Sequence, residues 1–203
     1  MILSTLKVCG SLTKEAGHHW QFADADFPDI VMPYCCSSLA NIALAAKVSL
    51  APLSLILEDD KVSLLKVAET TVIKKLKSSL SLTIDIHGVP LSQASLLWFI
   101  KSLFCHEESA SSIISDLPDL LDGVSFILQQ GTDFFLEKKA AVDLLWRLIY
   151  MRHSSNIISH PDLVAQLMSL TGPGLEESDS LQRMASCVLW KLYDNDQQGT
   201  VIT

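Results

Sequence analysis

Glycine and proline are scarce in this chain, 8 and 7 among 203 residues. Most of them lie between apolar periodic runs. A β-rich chain needs frequent turns, so this distribution argues against a sandwich or barrel and for helices. Arginine is rarer still: Arg147, Arg152 and Arg183 are the whole complement. Nucleic-acid binders usually carry a basic, arginine-containing surface, so direct contact with DNA or RNA is not expected. The net charge is −8. Residues 1–101 balance at 9 Lys/Arg against 9 Asp/Glu, while residues 102–203 carry 6 against 14, and 6 − 14 = −8 accounts for the whole excess.

Cys9, Cys35, Cys36, Cys105 and Cys187 are odd in number and have only one close pair. Their spacing suits neither a disulfide framework nor a zinc site. Most sit among apolar residues, where a thiol behaves as a small hydrophobe, and this fits a reducing compartment, nuclear or cytoplasmic. No run of about 18 apolar residues free of charge occurs, so no membrane span is expected. The opening MILSTLKVCG is too short and too weakly charged for a signal peptide.

Catalytic and ligand motifs are also lacking. His106-Glu107-Glu108-Ser109-Ala110 begins like a zincin helix, but Ala110 stands where the second ligand must be. His18-His19 is adjacent rather than helically spaced, and Cys105-His106 is one ligand pair without a second. Gly172-Pro173-Gly174 lacks the Lys-Ser/Thr of a phosphate loop. There is no G-x-S-x-G elbow. Asp24 and Asp26 read as solvated loop acids, and His87 as part of a turn. The chain is therefore read as no enzyme, with no metal, cofactor or small-molecule substrate.

What is present is helical periodicity. About half of the residues are apolar, enough for one sizeable core. Residues 134–152 (FFLEKKAAVDLLWRLIYMR) predict one long helix, with Asp133 as its N-cap. Leu136, Ala140, Leu144, Leu148 and Met151 mark its inner face, widened by Ala141, Leu145 and Ile149. Glu137, Lys138, Asp143, Arg147 and Arg152 are expected on the solvent side. Further helices are predicted at 2–14, 32–49, 53–57, 61–80, 91–105, 109–130 with a break at Leu117-Pro118, 163–170 and 176–193. Thr83 to Pro90 reads as a turn whose weak strand alternation is cut short by Gly88 and Pro90. Residues 1–195 are read as one helical domain and 196–203 as a polar tail that frays.

Residues 61–80 carry Lys61, Lys66, Lys74, Lys75 and Lys77 opposite Val62, Leu65, Val72, Leu76 and Leu80. The ordinary reading is a solvated face whose lysine stems cover apolar neighbours. As a contact face for an anion, Lys66, Lys74, Lys75 and Lys77 would act together. For residues 1–14, two outcomes are expected: packing back on the helix at 33–47, or an exposed apolar end.

One short pattern recurs. Leu144-Leu145-Trp146-Arg147-Leu148 is echoed by Leu96-Leu97-Trp98-Phe99-Ile100, 48 residues earlier, and by Val188-Leu189-Trp190-Lys191-Leu192, 44 residues later. That period lies in or just beyond the range of ~40–47 residues for armadillo and HEAT repeats. On period and helix pattern the chain resembles these α-solenoids over residues 30–195. The resemblance implies an all-α, short helical-repeat array with Trp98, Trp146 and Trp190 at equivalent inner positions. The alternative is an irregular helical bundle. The chain lacks the glycine that usually parts the first two armadillo helices and the regular Pro and Asp/Arg positions of HEAT repeats. Residues 169–196, including GPGLEESDSLQRMASCVLWKLYDND, are similar to the closing segment of a family of large meiotic helical-repeat proteins. This implies part of a longer protein with a role in meiotic DNA-break formation. The function expected is a non-catalytic protein–protein scaffold module. The alternative is a nucleic-acid-associated helical domain using the lysine face.

Overall fold

The computed structural model describes residues 1–12, 21–22, 25–53, 57, 83–86, 88–104, 117–172 and 179–200. The fold is all-α, and the described part carries one small hairpin. Helix α1 (Ile2–Leu12) is followed by the short α2 (Phe27–Val31), a 3-10 turn at Met32–Cys36, α3 (Ala40–Leu50) and a further 3-10 turn at Ala51–Leu53. Strands β1 (Thr83–Ile86) and β2 (Val89–Ser92) lead into α4 (Gln93–Leu103). Then come α5 (Leu117–Leu128), α6 (Phe135–Tyr150), α7 (Ser154–Ile158), α8 (Pro161–Ser169) and α9 (Asp179–Thr200).

Helix α6 is the hub. It packs on α4 on one side and α9 on another, and also touches α5 and α7. Ala140, Ala141, Val142, Leu144, Leu145 and Leu148 are fully buried on it. With neighbours on several sides, its buried sector is wider than a single amphipathic stripe, and Glu137 and Lys138 are buried within it at 6% and 5% exposure. The solvent strip is 136, 139, 143, 146, 147 and 150, which share one side at helical spacing. Leu136 is therefore outside, at 56% exposure. This corrects the expected face, which took Leu136 as core and Glu137 and Lys138 as surface. Asp133 does not cap the helix. It lies in a 3-10 turn, Thr132–Phe134, where the Phe134 N–H donates to the Gly131 carbonyl at 3.2 Å. The other end closes in a Schellman arrangement. His153 N–H donates to Leu148 O at 3.0 Å and Arg152 N–H to Ile149 O at 3.0 Å, with Arg152 left-handed at φ 64°.

The expected turn at 83–90 is a hairpin. Ile86 pairs with Val89 and Asp85 with Pro90. Gly88, at φ 76°, allows the tight reversal, and its N–H donates to Asp85 Oδ1 at 2.8 Å. Pro90 is tolerated because a two-stranded sheet consists only of edges. Ser92 then caps α4: its Oγ accepts from the Ser95 N–H at 3.1 Å.

Helix α1 packs back on α3 through Leu6, which is buried, and the half-buried Leu3, while Ile2, Val8 and Leu12 stay largely exposed. Packing on α3 and exposed apolar side chains are thus both present on this one helix. At the far end, α9 continues to Thr200 instead of stopping near Tyr193.

The three helices bearing the recurrent pattern pack in series, α4 on α6 and α6 on α9. Leu96, Leu97 and Ile100, then Leu144, Leu145 and Leu148, then Val188, Leu189 and Leu192 are all buried. No repeating armadillo or HEAT unit is evident in the described elements between them. Among the described residues the elements before these helices differ: α7 and α8 intervene before α9, a hairpin before α4.

Candidate docking groove

The pattern's tryptophan is the residue whose placement differs most from expectation. In a helix, residues i and i+4 point nearly together and i+1 lies beside them, whereas i+2 lies on the opposite side. With the first, second and fifth positions buried, the third must turn outward. Trp98 and Trp146 are half-buried at the edge of the core. Trp146 is shielded in part by Tyr150, edge-on with ring centroids 5.2 Å apart. Trp190 is 65% exposed, with Lys191 Nζ 5.7 Å from its ring centroid. The three tryptophans therefore do not hold equivalent inner positions.

Leu189, the residue before Trp190, lines a groove between α8 and α9. Pro161, Val164, Ala165 and Met168 form one wall, Leu189, Leu192 and Tyr193 the other, and Ile158 of α7 closes an end. The hollow holds about 310 Å³. Helix α8 owes this surface to having apolar residues on two faces. Leu163 and Leu167 are fully buried in the core, and Val164 and Met168 follow each of them by one position, about 100° round the helix. Pro161 suits the first turn, where its missing N–H costs nothing.

The groove is held in place from behind. His160, just before α8, shares a hydrogen bond between its Nε2 and Asp122 Oδ1 of α5 at 3.0 Å. Ser125 Oγ donates to Gln166 Oε1 at 3.1 Å, joining the same two helices. Gln182 Nε2 donates to the Thr171 carbonyl at 3.2 Å, tying α9 to the turn after α8. Along α9, Lys191 Nζ meets Asp194 Oδ2 at 2.9 Å and Arg183 meets Asp179 at 3.7 Å.

Lys66, Lys74, Lys75 and Lys77, the expected basic contact face, lie outside the described residues, as do His18, His19, Asp24, His87, Cys105 and His106. Among the described residues no group of three His, Cys, Asp or Glu could hold a metal ion, and no helix is long and apolar enough to cross a membrane. The adjacent cysteines separate in environment. Cys36 is exposed and Cys35 is buried, and burial pushes the Cys35 thiol up to about 11, against a smaller lowering by Lys47.

In sequence terms residues 163–170 read only as a short helix, without the groove residues being singled out. The available signal was Val164 and Met168, apolar positions that the Leu163–Leu167 stripe does not account for. No family model, curated protein or solved structure matches the chain.

Proposed function

We propose that the chain is a non-catalytic protein-binding module that docks its partner in the α8–α9 groove. The observation that supports this is a contiguous apolar rim left open to solvent. Ile158 is 37% exposed, Met168 46% and Tyr193 48%, all lining one concave surface, and Trp190, 65% exposed, follows the lining residue Leu189 on α9. Scattered exposed hydrophobes are ordinary, but a clustered patch with Trp and Tyr is the composition of an interaction hot spot. The reading requires a helical domain and no repeat. The resemblance of residues 169–196 to the end of meiosis inhibitor protein 1 makes an assembly that forms meiotic DNA breaks the first place to seek the partner.

A photo-crosslinking residue at position 165 identifies what sits in the groove, and the captured protein is then purified. Its binding should fall at least about tenfold with Met168→Glu and with Trp190→Ala, since interface aromatics often contribute ~2 kcal/mol or more. Binding that survives both substitutions overturns the assignment.

A second reading asks as little of the architecture, a helical domain alone. In it, Lys66, Lys74, Lys75 and Lys77 contact nucleic acid. Duplex DNA binding at low salt, with a steep salt dependence and loss on changing Lys74, Lys75 and Lys77 to Glu, would support it. No binding at low salt would end it.

A further inference from the structure

We propose that the groove's occupant is an amphipathic helix of a partner protein whose apolar stripe is flanked by basic residues. This rests on the docking reading above and adds the shape and charge of what docks.

Shape comes from the walls. Pro161, Val164, Ala165 and Met168 stand at i, i+3, i+4 and i+7, and Leu189, Leu192 and Tyr193 at i, i+3 and i+4. Both walls therefore repeat at the pitch of a helix, about 5.4 Å per turn. Ridges at that spacing accept the ridges of a third helix. An extended strand presents same-side residues about 6.6–6.8 Å apart and falls out of register with them. The α8 wall covers two helical turns, and the hollow of about 310 Å³ takes a few apolar anchors, as in other helix-in-groove recognition.

Charge comes from the surrounding chain. Among the described side chains of α8 and α9, the acids are Asp162, Asp179 and Asp194 and the bases Arg183 and Lys191. Each base already has an acid beside it, Arg183 with Asp179 and Lys191 with Asp194. Asp162 is exposed in the first turn of α8, next to the groove residue Pro161. A helix with lysines beside its stripe meets a complementary field here, and one with glutamates is repelled.

The test uses the full chain and two labelled synthetic peptides. Both carry Leu at i, i+3, i+4 and i+7 on an Ala-rich helix. One has Lys on the flanks and its twin has Glu. Fluorescence anisotropy should show the Lys peptide binding, at least about tenfold more tightly than the Glu peptide at low salt. The gap should narrow as salt rises and with Asp162→Asn plus Asp194→Asn. Met168→Ala with Tyr193→Ala should weaken the Lys peptide, with an unchanged circular dichroism spectrum establishing that the fold is intact. Equal binding of the twins, or preference for Glu, overturns the proposal. If neither peptide binds while a crosslinked partner still depends on Met168 and Trp190, the basic-helix proposal falls and the docking reading stands. If no partner depends on those residues either, both fall. Sedimentation showing self-association that Met168→Glu abolishes would make a second copy the occupant and likewise overturn the proposal.

Discussion

The seam between α4 and α6 and the groove between α8 and α9 use the same apolar residues and are finished differently. At the seam, Leu96, Leu97 and Ile100 face Leu144, Leu145 and Leu148, all buried, and charged side chains are laid across the top. Lys101 is paired with Asp143. Arg147 donates from Nε and Nη2 to the Phe104 carbonyl at 3.2 and 2.9 Å, satisfying a group left open just after the end of α4. At the groove, the buried Leu163, Leu167 and Leu192 are followed outward by Val164, Met168 and Tyr193, and no charged side chain among the lining residues covers them. Apolar surface covered by polar clamps has finished its work in folding. Apolar surface left open at a concave site costs solubility, and binding is the gain that would offset it.

On that contrast, substitutions on the sealed side should act on stability and those on the open side should not. The largest effect is expected at the hub. Leu145→Ala removes a fully buried side chain between packed helices. It should cost about 3 kcal/mol and lower the thermal midpoint by about 10 °C, read by calorimetry. A loss below about 1 kcal/mol would mean that α6 is not enclosed as described.

The sealed region extends to the N-terminal layer, where Cys35 provides a pH readout. Its thiol rises from 9.0 to about 11 in the folded chain because it is buried. The unfolded thiol loses its proton first, so between those values the unfolded state binds fewer protons and stability falls with rising pH. Below pH 9 the group contributes no slope. The fall should be on the order of 2 kcal/mol across the window, and Cys35→Ala should flatten it in denaturant titrations at pH 8, 9.5 and 11. The neighbouring Cys36, being exposed, should react with alkylating reagents well before Cys35 does.

The clamps themselves should matter less than the core beneath them. Arg147→Met keeps most of the stem's packing and leaves the Phe104 carbonyl without its two donors. A cost of about 1–2 kcal/mol is expected. Pairing Lys101→Met with Asp143→Ala in a double-mutant cycle should give a coupling below about 1 kcal/mol, because both side chains are roughly a third exposed.

These regions were unequally legible in the sequence. That α6 is the centre could be read from its length, its lack of Gly and Pro and its apolar period. Which of its faces is buried could not, because the rule for a surface helix assumes one buried stripe. A helix enclosed by α4, α5, α7 and α9 buries Glu137 and Lys138 and leaves only the strip through Leu136 and Tyr150. The outward turn of the tryptophans was available from helix geometry alone, given leucines at the first, second and fifth positions of the pattern. Five recurring residues reveal helices with similar faces, but a repeat needs the intervening elements to recur too, and among the described residues they do not. The groove is a tertiary fact. Met168 and Tyr193 are 25 positions apart in sequence, and only the packing of α8 on α9 brings them to one surface.

The smallest stability effect belongs to the open side, where it separates the two regions most sharply. Met168→Glu and Trp190→Ala replace side chains that are 46% and 65% exposed, and neither residue is within the buried stripe of its helix. Glutamate is a good helix former, and alanine the best, so the local helices should hold. Each change should shift the unfolding free energy by less than about 0.5 kcal/mol, measured by urea titration with an unchanged slope. Trp146→Ala is the internal control, because that ring is half-buried at the core's edge and packed against Tyr150, so it should cost clearly more than Trp190→Ala. If the two tryptophan variants are equally destabilised, Trp190 is structural, and the groove is an imperfection of packing rather than a surface kept open. If Trp190→Ala is silent in stability while the crosslinked partner is lost, one position of the recurrent pattern supports the fold in α6 and recognition in α9.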